Sequence, residues 1–238
     1  MEPILFYGVP HGCSFGSIVA LEWLGQPYRL CRIDMLSTQQ ADIFARVNPR
    51  MKTPTLLLED GEVLTESVAI LNHVAARDLG RKLTFAQGTR EFDRVNRALG
   101  FLNSGLFAAF LPAWAAYKLD EGAPEREFLR RTARESVAQH YSQLDATLAG
   151  RDWLAGNGRT VADAYLAGVA RWGEDLGLFD LEREYPHLHR HLRKLEGDGA
   201  VVFAHAVEDD RPATSVGRFE GHVALEELGP RLEARDAA

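Results

Sequence analysis

Apolar and polar residues change their spacing once along this chain, near residue 80. Before that point, short apolar runs alternate with segments in which apolar residues recur every three or four positions. These two spacings are typical of buried strands and of amphipathic helices, respectively. After residue 80 the helical spacing continues almost to residue 208. The pattern therefore predicts an α/β unit followed by an all-α unit.

The first unit is predicted to have the element order β-α-β-α-β-β-α. Its strands are expected at residues 4–7, 28–33, 55–58 and 62–64, and its helices at 14–24, 41–47 and 67–79. Asp60-Gly61 predicts a hairpin between the last two strands. Residues 37–40 resemble a capping box in front of the second helix, which Asn48-Pro49 ends. Since a helix joins the first two strands, we expect them to pair in parallel.

The rest of the chain is predicted to be helical, and the domain boundaries follow from this change. Residues 1–80 form the first domain, 81–88 a linker, and 89–208 an all-helical domain in which Pro112 kinks or ends the first long helix. Thr160 and Asp163 are spaced as a capping box. Residues 209–238 form a charged tail, and we expect part of it to be disordered or to lie over the surface.

Composition and charge narrow the class of protein. The formal net charge of -7 disfavours nucleic acid or an anionic membrane as the main partner. Two cysteines are too few for a disulfide framework, and Cys31 is expected in the core. No apolar run approaches the roughly 20 residues of a membrane span, and the N-terminus shows no signal-peptide pattern. The expected location is the cytoplasm.

Two short segments together suit a small zwitterionic peptide. Thr53-Pro54 precedes an apolar strand, and a cis bond there would turn the Thr53 backbone toward a cleft where a peptide could pair. Glu66-Ser67 opens an amphipathic helix, whose free amides attract a carboxylate while Glu66 could bind an ammonium group. The simpler interpretations are an edge-strand proline and a helix cap.

Three residues near the first strand are candidates for thiol chemistry. Cys13 lies between a glycine and a helix, a position that lowers a thiol pKa and favours a thiolate, either its own or that of a bound thiol. Ser14 is either a helix cap or a hydrogen-bond donor to a sulfur anion. Tyr7 ends the first strand, where its hydroxyl could reach the same loop. A small buried cysteine and a core tyrosine are the alternative interpretations.

Two further patterns are more simply explained without a metal-binding or ligand-binding site. Histidines alternate at positions 187, 189 and 191 as in a metal-binding tract, but nothing completes a ligand set. Surface histidines are therefore expected, and no metal site is predicted. Aromatic residues at helical spacing are usually core, although some could line an apolar pocket. This aromatic set consists of Phe107, Phe110, Trp114 and Tyr117.

In their order and spacing, these motifs resemble the cytosolic glutathione transferases over roughly the first 205 residues. The matching segments are Gly12-Cys13-Ser14, Asn48-Pro49, Thr53-Pro54, Glu66-Ser67, and Thr160 to Asp163 with Tyr165. The resemblance implies a thioredoxin-like α/β N-terminal domain, an all-α C-terminal domain and a homodimer. Within the family, the chain looks most similar to the bacterial beta class.

The resemblance also implies a role for each matching residue. Thr53-Pro54, with the proline cis, would pair with the cysteinyl part of glutathione, and Glu66-Ser67 would bind its γ-glutamyl end. Lys52 is similar to a side chain that approaches the glycyl carboxylate, and Cys13 to the beta-class cysteine that faces the glutathione sulfur. The implied co-substrate is glutathione. The implied partner is a small hydrophobic electrophile in an apolar pocket between the domains, as in detoxification.

Two departures from the family pattern keep other functions open. Phe107-Ala108 aligns where beta-class proteins carry a His-Lys pair, and the loop between Tyr7 and Cys13 is one residue longer. The first hypothesis is an enzyme that adds the glutathione thiolate to a small apolar electrophile. The alternatives are a glutathione-dependent thiol-disulfide oxidoreductase using a Cys13 mixed disulfide, and a non-catalytic binding or regulatory protein on the same fold.

Overall fold

The computed structural model of this chain describes residues 2–9, 11–35 and 41–228. Its contacts form two compact units, one of Met1–Leu83 with Gly199–Ala238 and the other of Thr84–Asp198. This division differs from the predicted boundaries, which placed residues up to 208 in the helical domain. The difference arises because the segment from Gly199 onward packs on the α/β elements near the N-terminus.

The α/β unit has the predicted element order. Its first four strands are β1 (Ile4–Val9), β2 (Pro27–Asp34), β3 (Thr55–Leu57) and β4 (Val63–Thr65), and its first three helices are α1 (Phe15–Leu24), α2 (Ala41–Val47) and α3 (Ser67–Arg77). β1 pairs in parallel with β2 and antiparallel with β3. β3 and β4 form the predicted hairpin. The capping box predicted at residues 37–40 lies outside the described residues.

Alternation along β1 sends its side chains to two different layers. Phe6 packs with Phe44 of α2 and with Cys31 of β2 in a fully buried cluster on one face of the sheet. Burial raises the pKa of Cys31 to about 12, as expected for a thiol that is only a core residue. α1 and α3 pack against each other in the other layer.

The helical unit contains seven helices among its described residues. They are α4 (Arg90–Gly100), α5 (Leu111–Tyr117), α6 (Pro124–Leu148), α7 (Val161–Ala170), α8 (Trp172–Asp175), α9 (Leu181–Glu184) and α10 (Pro186–Glu196). A π-helical segment, Phe101–Phe107, continues α4. Pro112 lies in the first turn of α5, where a missing N–H costs nothing, so the predicted long helix is interrupted close to its proline.

No single helix in the described part of the chain is long and apolar enough to cross a membrane. In the same part of the chain, one pair of helices, Arg90–Phe107 with Leu111–Tyr117, has that length and composition when taken together, and the pair is bent by 41°.

Asp163 organises the start of α7 as the predicted capping box. Its carboxylate accepts hydrogen bonds from the backbone N–H groups of Thr160 (2.9 Å) and Leu154 (3.0 Å). It also lies 3.1 Å from Nε2 of His191, which is 3% exposed. The expectation of surface histidines is therefore wrong at position 191. On α10 this residue shares its buried face with Leu188 and Leu195.

The described part of the tail belongs to the α/β unit. α11 (Gly199–Glu208) packs against α1, and β5 (Arg218–His222) pairs in parallel with β2. The complete sheet has the order β4-β3-β1-β2-β5. A short 3₁₀ helix, Leu225–Leu228, closes the cluster around Phe6. The sheet holds residues 218–222 in place and this core holds residues 225–228, while the expectation that part of the tail is disordered or lies over the surface stays a prediction for the rest.

Candidate functional site

The peptide bond between Thr53 and Pro54 is cis, as the resemblance implied. Among the described residues, none accepts a hydrogen bond from the Thr53 amide. The Thr53 carbonyl accepts one from Sγ of Cys13, at 3.2 Å. The loop after β1 and the segment before β3 therefore meet at Thr53. Its free N–H is available to an added peptide backbone.

Asn48 holds the turn that leads to this bond. Its side chain is buried, and Nδ2 donates to the carbonyl of Lys52 (2.8 Å) and to Oγ1 of Thr55 (3.0 Å). Oδ1 accepts from the backbone N–H of Arg50 at 3.1 Å. Sequence reasoning saw Asn48 only as the end of a helix. An asparagine between a helix and a proline was the available signal, since its amide can bond neighbouring backbone groups.

Gly8 allows Thr53 to approach β1 closely. A Cβ atom at position 8 would lie 2.3 Å from Oγ1 of Thr53 and 2.9 Å from Cγ of Met35. Any larger residue would therefore displace the site, a role for Gly8 that the sequence pattern did not indicate. The Gly8 amide also donates to Oγ of Ser14 at 3.2 Å.

Ser14 is fully buried and makes no side-chain cap at the start of α1. Its hydroxyl oxygen accepts the Gly8 hydrogen bond instead. The interpretation as a helix cap is therefore wrong. With 0% of its surface exposed, Ser14 positions the loop that carries Cys13, and this arrangement does not present its hydroxyl to a ligand.

Cys13 is partly exposed, and its Sγ donates a hydrogen bond to the Thr53 carbonyl. Burial raises its pKa to about 11, the negative charge of Glu66 adds to this effect, and a hydrogen bond with Ser67 opposes it. The expectation that this position lowers the pKa of Cys13 itself is thus wrong, because the cost of burying a thiolate exceeds the stabilisation from the hydrogen bonds with Ser67 and the backbone. At pH 7 roughly one thiol in ten thousand would be ionised.

Glu66 stands at the start of α3 with an unusual backbone. Its φ and ψ angles are 73° and 125°, a combination that costs a non-glycine residue about 1–3 kcal/mol and is found mostly at functional sites. The exposed Glu66 carboxylate pairs with the exposed guanidinium of Arg50 at 3.3 Å. Ser67, 8% exposed, is the first residue of the helix. An ammonium group and a carboxylate would each find a partner here.

Of the two remaining predicted site residues, Lys52 is exposed and Tyr7 is buried. The Lys52 side chain is exposed, and its predicted contact with a glycyl carboxylate stays a prediction. Tyr7 is 1% exposed, and its hydroxyl lies 3.2 Å from Nε2 of His222 on β5. Burial raises its pKa. Because His222 of strand β5 contacts this hydroxyl, the structure favours the core interpretation of Tyr7, and its catalytic role stays a prediction.

The described residues contain no group of three or more His, Cys, Asp or Glu side chains that could hold a metal ion. Cys13 supplies a thiol that can donate a hydrogen bond. An unpaired amide, a protonated thiol, a carboxylate and a helix N-terminus meet in one unit. Together they suit a peptide that carries a sulfur group and a zwitterionic end.

Comparison with known proteins agrees with a site for such a peptide. The family model described as "Glutathione S-transferase, N-terminal domain" matches residues 13–77, and the C-terminal domain model matches 108–197. Glutathione S-transferase GST-4.5 of Xanthomonas campestris is 33% identical over 174 residues, covering 72% of this chain and 83% of the relative. GstA of Escherichia coli O157:H7 is 29% identical and covers 71% and 81%, respectively.

Solved structures are similar over almost their whole length. A sphingomonad glutathione S-transferase complexed with glutathione has a TM-score of 0.76 and 33% identity, covering 87% of this chain and 98% of that one. The bacterial beta-class enzyme of Sphingomonas chungbukensis has a TM-score of 0.76 and 30% identity, covering 86% and 98%. The chain therefore belongs to the glutathione S-transferase family, and it resembles the bacterial beta-class members.

Proposed function

We propose that this protein is a glutathione transferase whose co-substrate binds around Thr53, Cys13 and Glu66-Ser67. The observation that carries the proposal is that the Thr53 amide, which donates to none of the described residues, lies beside the Cys13 thiol. The cysteinyl backbone of glutathione pairs with Thr53 as a short added strand. Its γ-glutamyl end binds Glu66 and the N-terminus of α3, and Lys52 approaches its glycyl carboxylate.

Cys13 acts in this proposal as a hydrogen-bond donor rather than as a nucleophile. Its protonated thiol now donates to the Thr53 carbonyl, and on binding it turns to the glutathione sulfur. The freed carbonyl then accepts the cysteinyl N–H of the ligand. A donated hydrogen bond stabilises the thiolate over the thiol, which lowers the pKa of glutathione and raises the fraction of nucleophile.

The electrophile is proposed to be small and apolar. In the helical unit the partly exposed Trp114 and the exposed Leu111 and Tyr117 offer it apolar surface, backed by the buried rings of Phe110 and Trp172. The rings of Trp114 and Trp172 meet edge to face, with centroids 5.1 Å apart, and Phe110 packs on Trp172 at 5.6 Å. Leu111 and Tyr117 leave more than half of their surface exposed beside this cluster. We further propose that the protein is a cytoplasmic homodimer with a role in detoxification.

A thiol-disulfide oxidoreductase receives less support from the geometry. That reaction needs Cys13 as an attacking thiolate, and a pKa of about 11 leaves it protonated. Conjugation needs only the glutathione thiolate and a donor that stabilises it.

Calorimetry and two activity assays test the proposal. Glutathione should bind to the wild type, and Glu66→Ala should weaken binding about tenfold, with Glu62→Ala on the exposed hairpin as the matched control. Conjugation of 1-chloro-2,4-dinitrobenzene should fall in Cys13→Ala and largely persist in Cys13→Ser, which keeps a donor. Reduction of hydroxyethyl disulfide that depends on Cys13 without any conjugation would favour the oxidoreductase. No glutathione binding at millimolar concentration would favour a regulatory protein.

A further inference from the structure

A second sulfur atom, that of Met35, lies beside Cys13 at the proposed glutathione site. Met35 follows strand β2, and its Sδ accepts a hydrogen bond from Oγ1 of Thr53 at 3.8 Å. The carbonyl of the same threonine accepts the hydrogen bond from Cys13. The Met35 side chain is 41% exposed, so solutes can reach it.

Met35 also packs closely against the space above Gly8 of β1. A Cβ atom placed at Gly8 would lie 2.9 Å from Cγ and 3.3 Å from Sδ of Met35. The thioether therefore fills the room that the missing side chain of Gly8 leaves next to Thr53. An additional atom on Sδ must displace either the Met35 side chain or Thr53.

The sulfur groups of the described chain differ in their reactivity toward an oxidant. A cysteine is oxidised as its thiolate, and a pKa of about 11 leaves roughly one Cys13 thiol in ten thousand ionised at pH 7. A methionine thioether has no proton to lose, so its oxidation depends on access. Cys31 is fully buried, and Met51 is partly buried against the cluster around Phe6. The exposed thioether of Met35 is therefore the sulfur most open to oxidation.

We propose that Met35 is an oxidation site through which peroxides weaken glutathione binding, an inference whose functional part rests on the proposed glutathione site. Sδ attacks one oxygen of hydrogen peroxide, and the O–O bond breaks. The proton of the transferred hydroxyl group moves to the leaving oxygen, so the products are methionine sulfoxide and one water molecule. The sulfur is oxidised by two electrons, and the peroxide is reduced.

The sulfoxide changes the contact between Met35 and Thr53. Its oxygen is a stronger hydrogen-bond acceptor than a thioether and takes additional space beside Gly8. Oγ1 of Thr53 then follows this oxygen or loses its partner, and in both cases the backbone proposed to pair with glutathione moves. We expect glutathione affinity to fall about fivefold or more. Because methionine sulfoxide reductases regenerate the thioether, the change is reversible.

Peptide mapping by mass spectrometry and calorimetry with glutathione test the proposal on the full-length protein. The protein is treated with hydrogen peroxide at pH 7 and then with dithiothreitol, which reverses disulfides and sulfenic acids but not methionine sulfoxide. The peroxide is removed before glutathione is added. Met35→Leu removes the thioether and keeps an apolar side chain. Met51→Leu is the matched control, since it removes the partly buried methionine instead.

Met35 should be oxidised about tenfold faster than Met51 or more, while the Cys13 thiol stays largely unmodified. Treatment should weaken glutathione binding in the wild type and in Met51→Leu, and methionine sulfoxide reductases should restore it. In Met35→Leu, affinity before and after treatment should be the same. Equal oxidation of Met35 and Met51, sulfinic acid at Cys13 in place of the sulfoxide, or an equal loss of affinity in Met35→Leu would overturn the proposal.

Glutathione binding by the untreated protein is a separate result, which tests the proposed function alone. If the untreated protein binds no glutathione, the proposed function fails, and hydrogen exchange decides whether Met35 oxidation acts on Thr53. Oxidation should then speed exchange in strand β3, directly after Thr53-Pro54, in the wild type but not in Met35→Leu. Identical exchange in β3 before and after oxidation of the wild type would overturn the inference as well.

Discussion

Glu22 of α1 is expected to anchor the C-terminal tail to the α/β unit. Its carboxylate is 2% exposed and accepts hydrogen bonds from the Tyr28 hydroxyl (2.5 Å) and from the backbone N–H groups of Val216 (2.7 Å) and Gly217 (2.8 Å). The hydroxyl of Ser215 donates to the same group at 2.7 Å. The perturbation that removes this anchor is Glu22→Ala.

The magnitude follows from the donors that the substitution leaves without an acceptor. Hydrogen bonds to a charged group contribute about 1.5–3 kcal/mol each, but their effects overlap because they share one carboxylate. Water can reach the partly exposed tail amides after the change, whereas the Tyr28 hydroxyl stays buried. The protein also no longer buries a charge, which offsets part of the loss. We expect a decrease of about 3–4 kcal/mol in the free energy of unfolding.

Urea denaturation followed by circular dichroism measures this change, and hydrogen exchange locates it. The amides of Val216 and Gly217, and those of β5, should lose protection more than those of β1. Glu22→Gln keeps one carbonyl acceptor and should fall between wild type and alanine. Glu220→Ala, at an exposed position on β5, is the control and should change stability by less than about 0.5 kcal/mol. A loss below about 1 kcal/mol in Glu22→Ala, with protection at Val216 intact, would refute the reasoning.

Two other predictions concern the glutathione site. Because its pKa is raised to about 11, Cys13 should react slowly with iodoacetamide at pH 7 and faster as the pH approaches 11. The reaction is measured in a Cys31→Ala background. A rate already maximal at pH 7 would contradict the raised pKa. The same shift stabilises the fold below the unfolded thiol pKa, near pH 8.5–9, and this contribution is lost as the pH rises through about 11. Gly8→Ala should weaken glutathione binding in calorimetry by about tenfold or more, because its Cβ would displace Thr53. The control Gly150→Ala, with open space around its Cβ, should have no effect. Unchanged affinity in Gly8→Ala would show that Thr53 can move without loss of binding.

Local patterns were sufficient for most elements of the fold. The hairpin at Asp60-Gly61 and the capping box at Thr160 depend on contacts between residues close in sequence, and both are present as predicted. Amphipathic spacing likewise located α3. Chain segments of this kind form the same structure in many contexts, because the turn and cap chemistry that specifies them is short in range.

The ionisation and exposure of the site residues could not be predicted in this way. Cys13 stands before a helix, where local rules favour a thiolate, yet burial against Thr53 keeps it protonated. Serine is a common helix-capping residue, but the hydroxyl oxygen of Ser14 accepts a hydrogen bond from the Gly8 amide instead. The sequence predicts that Tyr7 ends a strand with an accessible hydroxyl, whereas in the structure this hydroxyl contacts His222 of β5. Each outcome depends on a neighbour distant in sequence or on solvent exposure.

The sequence by itself determined the two kinds of secondary structure, the order of the elements and the segments proposed to bind a glutathione-like ligand, because these follow from periodicity and short motifs. Only the tertiary structure decided that the tail completes the sheet beside β2 and that Glu22 anchors it. It also brought Thr53, Cys13 and Glu66-Ser67 to one place. The physical reason is that burial, pairing and pKa depend on which distant side chains share a volume, and local spacing does not specify that volume.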